Sequence, residues 1–144
     1  MEHDPFFMQQ ALIEGQNAYR HNEVPVGAVL VAQGRILARA YNRSEELHDV
    51  TAHAELIALT AVTQHYGTKY LPECTLYVTL EPCPMCAGAL HWAQLGRLVY
   101  AASDPKRGCM RHTPPLLHPK TQVTSGILSE EAGSLLQTFF RERR

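Results

Sequence analysis

Residues 75–90 read Thr75-Leu76-Tyr77-Val78-Thr79-Leu80-Glu81-Pro82-Cys83-Pro84-Met85-Cys86-Ala87-Gly88-Ala89-Leu90. Thr75 to Leu80 is a run of β-branched, aromatic and aliphatic residues, the composition of a strand. Pro82 and Pro84 stop it, and Pro84 also opens a helix that is predicted to reach about Gln94. The stretch is therefore a strand, a proline-bounded turn and a helix. Cys83 and Cys86 fall at the start of that helix, three residues apart and on one face. Met85, Ala87, Ala89, Leu90, Trp92 and Ala93 make the helix apolar nearly all round, which predicts cover on most of its sides.

Upstream, Val24 to Ala32 is a small and β-branched apolar run and predicts a mostly buried strand. Gln33-Gly34 is a turn, and Arg35 to Tyr41 returns as the second arm of a hairpin. Asn42 to Thr51 is polar and predicts a loop. Helical spacing resumes with Ala52, Leu56, Leu59, Ala61 and Val62 and stops before Gly67. Nearer the N-terminus, Asp4 is placed to cap a helix with Pro5 in its first turn. Phe7, Met8, Ala11, Leu12, Gly15, Ala18 and Tyr19 give that helix a core face, and it should end near His21.

Downstream, Arg97 to Ala102 is a fourth strand. Ser103 to Thr121 holds four prolines and predicts a long irregular loop, and Gln122 to Ser125 a short fifth strand. Ser129, Glu131 and the spacing of Ala132, Leu135, Leu136, Phe139 and Phe140 predict a final helix with a basic end. The order α-β-β-α-β-α-β-β-α points to an α/β fold, a three-layer α-β-α sandwich with a central five-stranded mixed sheet.

The chain has 144 residues and 16.1 kDa, with 45% hydrophobic and 19% charged residues. That composition excludes a disordered or fibrous class and predicts one domain over residues 1–144. The net charge of −1 hides an asymmetry. Residues 104–144 hold Lys106, Arg107, Arg111, Lys120, Arg141, Arg143 and Arg144 against Asp104, Glu130, Glu131 and Glu142, a net of +3, which leaves −4 for residues 1–103. No apolar run reaches membrane-spanning length, and the start Met1-Glu2-His3-Asp4 lacks a signal peptide's basic, apolar pattern. A cytoplasmic protein is expected. In that compartment Cys74, Cys83, Cys86 and Cys109 are read as thiols or metal ligands before disulfides.

The chemistry-bearing set is His53-Ala54-Glu55 followed by Cys83 and Cys86. If two helix starts face one another, one imidazole and two thiols converge. Such a trio suits zinc, with water in the open fourth position. Glu55 can lean over that position from the first helical turn and move a proton. Three other readings stay open on the residues alone. His91 or Cys74 could complete a structural site, although neither has finger spacing. The Cys-x-x-Cys pair could be redox-active, or the thiols could be inert and His53 a cap.

The pattern His-Ala-Glu, then Pro-Cys-x-x-Cys, resembles the zinc-dependent cytidine deaminase superfamily, a known system for nucleobase deamination. Residues 23–31 (EVPVGAVLV), Tyr41-Asn42-Arg43, Thr51 to Glu55, Thr75 to Leu90 and the tail Phe139 to Arg144 look most like its tRNA adenosine deaminase branch, over nearly the whole chain. The resemblance implies one zinc per subunit on His53, Cys83 and Cys86, and Glu55 as the catalytic proton carrier. It implies attack of water at C6 of adenine at the wobble position of tRNA, with loss of ammonia to give inosine.

The resemblance also implies that Asn42, Val26, Ala28 and Asp104 meet the nucleoside. Lys106, Arg107, Arg141, Arg143 and Arg144 would meet RNA. The implied partners are a tRNA anticodon stem-loop and a second subunit in a homodimer. Cys109 to Pro119 departs from the branch's usual sequence and is shorter. A deaminase of a free base or nucleoside such as guanine, cytosine or cytidine is the alternative, and a zinc-stabilised RNA-binding module a third reading. Cys109 and His112 are read as loop residues.

Overall fold

The structure, a computed structural model, describes residues 1–143. Its strands are β1 (Gly27–Ala32), β2 (Arg35–Tyr41), β3 (Thr75–Leu80), β4 (Arg97–Ala102) and β5 (Gln122–Ser125). Its helices are α1 (Asp4–Arg20), α2 (Ser44–Leu47), α3 (Ala54–Tyr66), α4 (Pro84–Trp92) and α5 (Ser129–Glu142). The strand of the 75–90 stretch lies at the centre of a five-stranded sheet of order β2-β1-β3-β4-β5. β1 pairs antiparallel with β2 and β3, whereas β3–β4 and β4–β5 are parallel. The sheet is mixed, as its sequence pattern predicts.

Alternation along the strands builds two cores. Ala28 and Leu30 of β1, with Leu76 and Val78 of β3, face Ala54, Ala58 and Val62 of α3 and Ala87 and Leu90 of α4. Val29, Val31 and Tyr77 point the other way, toward Phe7, Met8, Ala11 and Leu12 of α1 and Ala132 of α5. Helices on both faces make the three-layer α/β sandwich. At Gly27 a Cβ would overlap the backbone of α1 at Ala11 and Gly15, so the strand packs directly onto the helix only with glycine there.

Several local expectations change. The strand predicted from Val24 starts at Gly27, because Pro25 has no N–H for the ladder and the Val26 N–H turns back to Val24 O at 2.7 Å. Asp4 does not cap α1. It is the first helical residue, its carboxylate is 1% exposed, and Arg97 takes both oxygens at 2.8 and 2.7 Å while the Tyr77 hydroxyl donates at 2.6 Å. A bidentate guanidinium outcompetes a capping geometry that would leave Arg97 unpaired. The predicted loop 42–51 contains the short helix α2, because the buried Glu23 carboxylate binds its first amides. Within the chain α4 buries only Cys86, Ala87 and Leu90, while Met85 and Trp92 (78% exposed) face outward. One sheet face covers one side of a helix and leaves the other apolar side open.

The topology gathers the predicted site at one end of the sheet. Residues 81–86 follow the carboxyl end of β3, and 103–110 follow that of β4. Since β1 is antiparallel to β3, Val26 lies at the same end, as does Asn42 beyond β2. Parallel strands place ligand sites at their carboxyl ends. No helix among the described residues is long and apolar enough to cross a membrane.

Candidate metal centre and active site

His53 and Cys83 hold equivalent positions. Each is the residue before a helix, in extended backbone (φ −81, ψ 152 for His53; φ −73, ψ 169 for Cys83), so α3 and α4 both start at the site. The His53 Nδ1 is 3.7 Å from Cys83 Sγ and 3.4 Å from Cys86 Sγ. The ligand atoms of these three residues all lie within 4.8 Å of one another, a cluster suited to a metal ion. His53 and Cys83 are half-buried and Cys86 is buried. The cluster contains no fourth His or Cys among the described residues, which removes the support for a closed structural site.

The electrostatics favour an anionic sulfur at Cys83, at the N-terminus of α4. The Cys86 thiol donates to Cys83 and, with His53, holds the Cys83 thiol down at about 4. Cys86 itself is pushed far up by the neighbouring Cys83 sulfur and by burial. His53 is raised by its hydrogen bond to Cys83. Cys74 and Cys109 are free buried thiols outside the cluster, and burial pushes Cys109 up to about 12. Both thiols are unactivated, and Cys109, expected in a loop, instead opens a single 3-10 turn, Cys109–Arg111, within the 103–121 segment.

Glu55 is the second residue of α3 and is 4% exposed. Burial pushes its carboxyl up to about 7, against the pull of its own backbone N–H and of His53, and it lies in hydrogen-bonding contact with Cys86. A carboxyl poised near neutrality beside a metal-binding cluster is suited to proton transfer.

The remaining predicted residues fall around this centre in different ways. Asn42 is buried, and its Oδ1 accepts the Ala54 N–H at 2.8 Å. It thus caps α3 from another loop and ties that loop to the helix start bearing His53 and Glu55. Val26 is beside it, since Asn42 N donates to Val26 O at 3.1 Å. Ala28 is fully buried in the core on the α3 side.

Asp104 Oδ1 accepts the N–H groups of Lys106 and Arg107, both at 3.0 Å, so its carboxylate shapes a turn that presents two exposed basic side chains. Arg141 is exposed. Arg143 stacks on Phe139 at 3.6 Å and donates to Asn22 Oδ1 at 3.0 Å and Phe139 O at 3.2 Å. Arg144 lies outside the described residues.

Sequence reasoning missed two buried carboxylates. Glu23 accepts the N–H groups of Glu45 (3.0 Å) and Glu46 (2.7 Å) at the start of α2. Glu81 accepts those of Asp104 (3.0 Å) and Met110 (2.9 Å). Both occur where an acidic residue stands at the edge of an apolar, proline-containing run, in Glu23-Val24-Pro25 and Leu80-Glu81-Pro82. That placement was the available signal.

One imidazole, two thiols and a buried glutamate at the ends of β3 and α3 define a deaminase-type site. Residues 1–102 match the cytidine and deoxycytidylate deaminase zinc-binding region, and the chain belongs to that family. Within it the chain belongs with the tRNA-specific adenosine deaminases. It is 46% identical over 143 residues to the tRNA-specific adenosine deaminase of Agrobacterium fabrum, covering 96% of this chain and 94% of that one. It is 44% identical over 149 aligned positions to that of Bacillus subtilis, covering 100% and 92%. A structure solved in work on A-to-I editing by tRNA:A34 deaminases at the wobble position of transfer RNA superposes with a TM-score of 0.86 at 44% identity, covering 91% of this chain and 99% of that one.

Proposed function

We propose that this chain is a hydrolytic deaminase that converts adenosine to inosine at wobble position 34 of tRNA, with one zinc ion per subunit on His53, Cys83 and Cys86 and with Glu55 as its catalytic residue. One observation carries the reading. The His53 Nδ1 and the two Sγ atoms form a three-donor cluster with N–S separations of 3.4 and 3.7 Å, and a buried carboxyl stands beside it. Tetrahedral zinc with ordinary Zn–N and Zn–S bonds requires N–S edges of about 3.6 Å. The donor set therefore fits zinc in identity and in spacing. When bound, zinc supplies Lewis-acid activation of water near neutral pH.

The chain's own groups do the rest. Glu55, held near neutrality by burial, takes a proton from the water that bonds to C6 and delivers one to the exocyclic amino group, which leaves as ammonia as the C6–N bond breaks. Asn42 is fixed by its bond to Ala54 and offers the rest of its amide to the nucleoside. Val26, whose carbonyl accepts the Asn42 N–H, would flank the nucleoside beside Asn42. Lys106 and Arg107 on their Asp104-built turn, with Arg141, supply positive charge for phosphates of the anticodon loop. Position 34 is unpaired in that loop, so extruding its base costs little. A single domain over residues 1–144 carries the activity.

The outward face of α4, with Met85 and Trp92 exposed, supports a homodimer buried through that face. Sedimentation of the purified protein at micromolar concentration should show twice the chain mass. The function is tested on an anticodon stem-loop of tRNA-Arg with adenine at position 34. Digestion and chromatography should find inosine there. Turnover of guanine, cytosine or cytidine with none of the RNA would overturn the assignment.

A further inference from the structure

We infer that Glu81 is a positioning residue for the RNA substrate: its buried carboxylate clamps the loop that carries Asp104, Lys106 and Arg107 onto the turn that carries Cys83. This inference rests on the tRNA reading above and assigns a task to a residue that the deamination chemistry does not use. Glu81 is 5% exposed. Its backbone N–H continues the sheet by donating to Ala102 O at 2.9 Å. Its two carboxylate oxygens are divided between the ends of one loop, Oε1 accepting from Asp104 N and Oε2 from Met110 N. The next residue reinforces the seam, because Cys109 N donates to Pro82 O at 2.9 Å. Residues 104–110 are thus closed on both sides of the two basic side chains.

Inside the clamp, Asp104 Oδ1 and Asp104 O accept the amides of Arg107 and Gly108, and Arg111 donates to Lys106 O. Gly108 has φ −67 and ψ 144, a conformation open to any residue, yet a Cβ there would overlap the Glu81 carboxylate. Glycine is required for space alone, and the space belongs to Glu81. A loop held this way before RNA arrives gives up little conformational freedom on binding, so the clamp is expected in affinity more than in the chemical step. The charge of Glu81 makes the arrangement specific. An isosteric amide would turn one N–H donor toward another and leave a buried backbone group unpaired.

The experiment uses the zinc-loaded full chain and the same anticodon stem-loop. Glu81→Gln should retain one zinc and change kcat by less than roughly threefold. It should raise KM roughly tenfold and speed amide hydrogen exchange in residues 104–110. Gly108→Ala should reproduce the KM rise by displacing the carboxylate. In a Glu81→Ala background, Gly108→Ala should add nothing, since the collision is gone.

An unchanged KM in both single variants overturns the proposal. So do additive effects in the pair, or a loss seen only in melting temperature and kcat. If the parent chain makes no inosine in this RNA, the functional reading fails first, and the exchange measurement reports separately whether the clamp exists.

Discussion

At the scale of single residues, the proposed reaction divides the site into groups that hold and one that transfers. The proposed proton carrier, Glu55, occupies a position whose burial raises its carboxyl toward neutrality. Replacing it with alanine removes the proton carrier and none of the three metal donors. The expected outcome for Glu55→Ala is full zinc content by metal analysis and a fall in inosine formation of roughly 10²–10⁴-fold. Loss of zinc together with activity would instead place Glu55 among the ligands. This trio and its glutamate were legible in the sequence because few side chains carry soft donors, and their pattern restricts what can converge. Glu81 and Glu23 were not legible as clamps. Their partners are backbone amides 22 to 29 residues away, and a main-chain N–H has no sequence identity until the fold places it.

At the scale of elements, β2, β3, β4 and β5 start and end where their composition predicts, since alternation and proline stops act locally. The start of α1 does not follow local rules, because a tertiary ion pair decides it. Asp4 is almost fully buried against Arg97 of β4 and Tyr77 of β3, and thereby pins the first turn of α1 to two parallel strands. The Arg97 hydrogen bonds hold the Asp4 carboxyl well below the usual carboxylate range.

Removing one partner of a buried pair leaves the other uncompensated, so Asp4→Asn should cost about 3 kcal/mol at neutral pH. The folded-state value lies below the unfolded one. The contribution is therefore complete above the unfolded carboxyl's value of about 3.9 and is lost as pH falls toward the folded one. Denaturant unfolding of parent and variant should give a constant gap from about pH 5 to 8 that closes below it. A gap that is unchanged or wider at low pH would show that the carboxylate is not the stabilising form.

For the whole molecule, a net charge of −1 argues against a general electrostatic grip on nucleic acid, and the +3 of residues 104–144 restores a local one. The structure sorts that surplus by availability. Lys106 and Arg107 are exposed beside the metal cluster's turn and enter none of the ion pairs found among the described residues. Arg143 is already spent, stacked on Phe139 and bonded to Asn22, where it joins α5 to the residues that follow α1. Basic residues that look alike in sequence therefore differ in how free their side chains are.

Each phosphate neutralised on a single-stranded loop contributes about −0.7 to the slope of log affinity against log salt. Binding of the anticodon stem-loop, followed by fluorescence anisotropy across a salt series, should show a shallow slope of about −2, set by a few contacts. Lys106→Ala should weaken binding and make that slope shallower by about one contact's worth. Arg143→Ala should leave the slope unchanged and lower the unfolding midpoint. Equal loss of slope from both variants would mean that Arg143 leaves its intramolecular partners to reach phosphate, and that α5 is released from α1 when RNA binds.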